Sequence, residues 1–169
     1  MMKLSTMKKV VDTLTQDWKS PLADQIIENW YHDPDSLVYF RSSANFVFRF
    51  QENGQLRYLR FNSMDERSLE ETQNEMKILC FLNERNPDIV KPILSQNSRY
   101  VEIVKAETDD YIAVVFEGYD GKMYEIEDLS DDHFYRWGQT LGKLHHTMDQ
   151  IPQALVAKRI TWKDHLDFA

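Results

Sequence analysis

Arg60 and Glu75 are the side chains in this sequence best placed to act on an anion. Arg60 lies in Tyr58-Leu59-Arg60-Phe61, where alternation sends Leu59 and Phe61 to one face and the guanidinium to the other. Upstream, the small polar loop Ser42-Ser43-Ala44-Asn45 leads into Phe46-Val47-Phe48-Arg49-Phe50. A polar loop followed by a strand and a cation on the partner strand can hold a phosphate. Arginine suits that task because its planar fork grips oxyanions bidentately and never loses its charge. Glu75 falls in a helical repeat of Leu69, Thr72, Met76, Leu79 and Leu82 over residues 67–84, at the margin of the buried stripe. An ion pair across the strand–helix gap would hold the guanidinium in one rotamer. Three other candidates carry less. Cys80 lies in an apolar helical pattern and reads as a buried small side chain. His32-Asp33 precedes Pro34 and reads as a helix terminus. His145 lies on the apolar stripe of a later helix and reads as a packed or hydrogen-bonded histidine.

The elements that must position these groups follow in order. Met7, Val10, Val11, Leu14 and Trp18 predict a helix over 5–18, and Ser20-Pro21 starts a second whose stripe is Leu22, Ile26 and Trp30. A short strand over 37–40 precedes a hairpin whose turn is Asn53-Gly54, the strongest short hairpin signal because both residues tolerate positive φ. Phe46, Phe48 and Phe50 share one face of its first strand. Asn86-Pro87-Asp88 breaks the helix that carries Glu75, and residues 89–93 are extended. Residues 100–105 alternate as a half-buried strand, and 111–116 form an apolar strand buried on both faces, so short turns join an antiparallel sheet. The glycines of Glu117-Gly118-Tyr119-Asp120-Gly121 make a hinge. A last helix begins after Ser130 with the stripe Phe134, Trp137, Leu141, Leu144, His145 and Met148, and Gly138 and Gly142 invite close packing against it.

Composition narrows the class. A chain of 169 residues can bury a core, and a net charge of −8 argues against nucleic acid. From Glu107 to Asp132 ten carboxylates face the single cation Lys122, a solvated rim or a surface that attracts cationic ligands. The lone cysteine excludes an internal disulfide, and no apolar run is long enough to span a membrane, so the expected location is the cytoplasm.

The order of loop, cation-bearing strand, glutamate-bearing helix, two strands, glycine hinge and long helix resembles the aminoglycoside phosphotransferase and choline kinase family. The resembling pieces are Ser43-Ala44-Asn45-Phe46-Val47-Phe48, Tyr58-Leu59-Arg60-Phe61, Asn74-Glu75-Met76, Val115-Phe116-Glu117-Gly118 and, most telling, Trp137-Gly138-Gln139-Thr140-Leu141-Gly142-Lys143-Leu144-His145. The resemblance implies an α+β fold: a protein-kinase-like N-terminal lobe of antiparallel sheet plus one helix, with a helical extension over 1–34, the nucleotide lobe over 35–117, a hinge over 118–122 and the start of a helical C-lobe over 123–169. It implies that Arg60 holds the nucleotide's α- and β-phosphates, that Glu75 orients it, and that the loop Ser42, Ser43 and Asn45 covers the phosphates. The backbone of Phe116, Glu117 and Gly118 would meet the adenine edge, with Phe48, Leu59 and Val114 as apolar walls. The cofactor implied is ATP or GTP with Mg, and the acceptor a small hydroxyl-bearing molecule of aminoglycoside- or choline-like, cationic character. The loop lacks the glycines of protein kinases, and no histidine–glycine–aspartate loop occurs in the chain, so catalytic and metal-binding residues are expected beyond Ala169. His145 to Asp149 with Asp167-Phe168-Ala169 mimics the family's spacing, but Ala154 stands where that pattern needs a metal-binding asparagine and no apolar strand precedes Asp167. Two function classes stay open: a phosphotransferase of which this is the nucleotide-binding portion, and a non-catalytic nucleotide-binding or protein-interaction module.

Overall fold

The computed structural model describes residues 2–107, 109–119, 121 and 124–157. Two short helices, α1 (Leu4–Val11) and α2 (Pro21–Ile27), open the chain. They are followed by strands β1 (Val38–Ser42), β2 (Phe46–Glu52) and β3 (Gln55–Ser63), then by helix α3 (Leu69–Arg85). Strands β4 (Pro92–Ile93), β5 (Glu102–Lys105) and β6 (Asp110–Glu117) complete one antiparallel sheet, and α4 (Asp131–Met148) and α5 (Gln153–Val156) come last. The strand order is β1-β2-β3-β6-β4, with β5 also on β6.

The β2–β3 turn forms as its residues dictate, with Asn53 at φ 51° and Gly54 at φ 74°. Its two amides both donate to the carboxylate of Asp33, at 2.8 Å each. His32-Asp33 is therefore no helix terminus: α2 has ended at Ile27, and Asp33 pins the hairpin. Asp33→Ala is expected to cost about 1–2 kcal/mol by freeing two charge-assisted bonds. Urea unfolding with a lowered midpoint and unchanged slope would show it.

Register decides what each face of the sheet does. Phe46, Phe48 and Phe50 on β2 pair with Phe61, Leu59 and Arg57 on β3, which pair in turn with Ala113, Val115 and Glu117 on β6. Directly paired residues share a face, and this one is covered by the N-terminal segment: Val10, Ala23, Ile26, Ile27 and Trp30 join Phe46, Phe48, Phe50, Leu59, Phe61, Tyr111 and Val115 in one buried core. The opposite face carries Ile112, Val114 and Phe116, onto which α3 lays Met76 with Leu69 and Leu79 packed around it. Helix α3 begins with a capping box: Ser68 accepts from the Glu71 amide, and the Glu71 carboxylate accepts from Ser68. That bond to the Ser68 amide, then one to its hydroxyl, holds the Glu71 carboxyl below its usual range.

The first helix stops at Val11, short of the expected 5–18, because the chain turns at 12–18 and Trp18 takes φ 60°. Trp30 lies past the end of α2 yet is buried, its Nε1 donating to Ile93 O. Helix α4 presents its apolar stripe outward, with Trp137 67% exposed and Phe134 and Leu141 also exposed. A Cβ at Gly138 or Gly142 would meet nothing within 4 Å, so the close packing expected there is not made among the described residues. His145, expected to pack, is exposed. Cys80 is half-buried. Lys122 and Asp167 to Ala169 lie outside the described residues. Among the described residues no helix is long and apolar enough to cross a membrane.

Candidate functional site

The α3 face of the sheet bears the site. Arg60 pairs in register with Val47 on one side and Val114 on the other, which turns its side chain toward α3. There Nη1 and Nη2 donate to Glu75 Oε1 and Oε2 at 2.8 Å each, an end-on fork that fixes both groups. The guanidinium carbon lies 5.0 Å from the centroid of the Phe116 ring, a cation–π contact on a side chain only 16% exposed. A second guanidinium joins them: Arg67 Nη2 donates to Glu75 Oε2 at 2.6 Å.

At the loop end of the site the Ala44 carbonyl accepts from Asn62 Nδ2 at 2.8 Å, and Ser43 N donates to Asn45 O. Asn62 lies two residues past Arg60 on the same face, paired with Ile112. The β1–β2 loop is thus tied down to the strand that carries Arg60. Asn45 Oδ1 is buried there without a hydrogen-bond partner. As placed it is an acceptor, so it meets a hydroxyl or a metal ion but no phosphate oxygen; a half-turn of the amide would present Nδ2, a donor. Toward the other end Tyr58 shares the face with Phe116 and stands edge-on to Phe40, ring centroids 5.5 Å apart.

Not every expected residue converges. Ser42 pairs with Phe46, so its side chain points to the opposite face, where its hydroxyl is bonded to Tyr39. Phe48 and Leu59, expected as walls of the same cleft, are fully buried under the N-terminal helices and cannot line it. Only Val114 of the three expected walls lies on the Arg60 face. Phe116 contributes its ring to the site, beneath the Arg60 guanidinium. The amides of Glu117 and Gly118 are already donated, to Lys91 O and Leu56 O at 2.9 Å each, so neither is a free donor for a base edge. Gly118 sits so close to β3 that a Cβ would come within 2.7 Å of Leu56 O, which explains the glycine at that point. Arg67, Asn62 and Tyr58 are site residues that the sequence motifs do not single out. Alternation along β3 places Tyr58 and Asn62 beside Arg60, whereas nothing in the spacing announces Arg67.

Two guanidinium groups on one carboxylate leave an excess of one positive charge, which suits a phosphate chain. Among the described residues no group of three His, Cys, Asp or Glu side chains could hold a metal ion. An antiparallel sheet with one helix packed on it, a glycine at the end of its last strand and a long helix later in the chain has the fold of a protein-kinase-like amino-terminal lobe.

Solved structures show that fold directly. An amicoumacin kinase in complex with AMP-PNP, Ca2+ and Ami matches with a TM-score of 0.70 at 20% identity, over 78% of this chain and 40% of that one. A microcompartment-associated aminopropanol kinase matches with a TM-score of 0.61 at 20% identity, over 83% and 44%. A spectinomycin phosphotransferase in complex with ADP and spectinomycin matches with a TM-score of 0.57 at 12% identity, over 79% and 39%. This chain therefore spans about two fifths of the length of those proteins. No family model and no curated protein matches it.

Proposed function

We propose that this chain is the nucleotide-binding portion of an ATP- or GTP-dependent kinase acting on a hydroxyl of a small, cationic acceptor. Residues 35–117 are the nucleotide lobe, 118–122 the hinge and 123–169 the start of the helical lobe. The observation that carries the reading is the Arg60–Glu75 fork, held at 2.8 Å, on a strand to which Asn62, two residues on, ties the β1–β2 loop. Arg60 would hold the phosphates, Glu75 would orient it, and Ser43 and Asn45 would lie over them. Tyr58, Phe40, Val47 and Val114 offer the apolar and aromatic surface a purine needs, on the same side of the sheet. Phosphoryl transfer is mostly positioning and charge neutralisation, and a fixed guanidinium on a strand supplies both. A divalent cation would complete the neutralisation when bound; its ligands and the catalytic base would come from residues other than those described.

Thermal unfolding of the 169-residue chain with Mg-ATP, Mg-GTP and adenosine tests the reading. A ligand at about 100 times its dissociation constant should stabilise the chain by about 2.7 kcal/mol. An unfolding curve unmoved by either triphosphate at millimolar concentration would overturn it.

A further inference from the structure

The carboxylate of Glu75 is shared. Oε2 accepts from Arg60 Nη2 at 2.8 Å and from Arg67 Nη2 at 2.6 Å, while Oε1 accepts from Arg60 Nη1 at 2.8 Å. An arginine–glutamate pair alone is neutral and draws a polyphosphate weakly. With Arg67 these three side chains together carry one net positive charge. It stands immediately before Ser68, the residue that caps α3, and its side chain reaches Glu75 in the second turn. It is 30% exposed, against 16% for Arg60, so it forms the solvent-side member of the three. The bonding also sets which donors remain. Arg60 gives its end-on fork to Glu75, leaving Nε–H and the outer hydrogens of Nη1 and Nη2 for another acceptor. A carboxylate pulled from both sides holds that orientation, because moving Arg60 would break bonds that Arg67 also constrains.

We propose that Arg67 is a positioning residue of the phosphate site, balancing the charge of Glu75 so that Arg60 keeps a net positive charge toward the polyphosphate chain of a nucleotide. The inference rests on the nucleotide reading above and extends it to a residue outside the Arg60–Glu75 pair. Its ligand class is a di- or triphosphate, for which the net charge of the site matters, and not a nucleoside, for which it does not.

Calorimetric titration of the 169-residue chain with ATP, ADP and adenosine tests this. Arg67→Gln should lower ATP affinity about tenfold, ADP affinity less, and leave adenosine unchanged, as expected for losing one partly screened charge near the phosphates. Arg67→Lys, which keeps the charge, should hold ATP affinity within about threefold of the parent. Adding Glu75→Gln to Arg67→Gln returns the group to one net positive charge and should recover part of the loss, which a purely structural role would not give. ATP binding that Arg67→Gln leaves intact, or that falls by the same factor as adenosine binding, removes this inference alone. Failure of the parent chain to bind ATP removes the nucleotide reading, and this inference with it.

Discussion

Arg60→Ala should weaken ATP binding about 100-fold while adenosine binding stays within a small factor of the parent. The size follows from the bonds that the proposed phosphate site would lose. Two charge-assisted hydrogen bonds to phosphate oxygens are worth about 1.5–3 kcal/mol each before losses to solvent, and about 2.7 kcal/mol corresponds to 100-fold. The fold should survive, which the geometry makes specific. Removing one partner of a buried ion pair usually leaves an uncompensated charge and costs about 3–5 kcal/mol. Here Arg67 stays on Glu75 Oε2, so the carboxylate keeps a partner at 2.6 Å. Circular dichroism should therefore match the parent, with an unfolding midpoint lowered by no more than about 1 kcal/mol of stability. Arg60→Lys should fall between, since an ammonium keeps the charge and loses the fork. A variant that binds ATP as tightly as the parent would leave Arg60 as a structural ion pair and nothing more.

Much of this site was legible because strands have a period of two. Asn53-Gly54 fixed the hairpin, alternation put Arg60 opposite Leu59 and Phe61, and the repeat from Leu69 placed Glu75 beside the buried stripe. The same alternation, applied consistently, excludes Leu59 as a neighbour of Arg60 in one cleft. Taking Phe48 and Leu59 as cleft walls confused a shared sheet with a shared face. Ser42 differs for another reason: β1 runs past a register irregularity at Tyr39–Arg41 and continues through Ser42, so a residue that reads as loop is the last of a strand, paired with Phe46. Arg67 lies outside every period, since its contact with Glu75 depends on how the chain enters α3. The role of Asp33 is also tertiary. A carboxylate at the end of one connection satisfies the amides of a turn twenty residues on, and no local pattern encodes that. Near the N-terminus periodicity overreached: the apolar spacing through Trp18 looks helical, and α1 does carry Met7, Val10 and Val11, yet Leu14 and Trp18 are brought in by the turn that follows it, Leu14 packed against the core and Trp18 stacked on Tyr39.

That docking carries the other large effect, on stability. Trp30 is 2% exposed, among the largest fully buried side chains of the described residues, and it sits where the N-terminal segment meets the phenylalanines of β2 and β3. Trp30→Ala would remove that ring from a close-packed layer and leave the Ile93 carbonyl without the indole N–H that now reaches it at 3.3 Å. Large-to-small changes of this kind cost about 3–5 kcal/mol, a large share of the about 5–15 kcal/mol that holds a whole domain together. The variant should unfold at a much lower urea concentration, and as one transition with the sheet, because the helices and the far face of the sheet share a single core. A loss below about 1 kcal/mol, or an early separate transition of the helices, would mean that residues 1–34 are an appended layer rather than half of the lobe's core. The link to function runs through that core. Phe61 and Leu59 are buried against the N-terminal segment on one side of β3, and between them Arg60 is aimed at Glu75 on the other, so the packing of Trp30 helps fix where the guanidinium points.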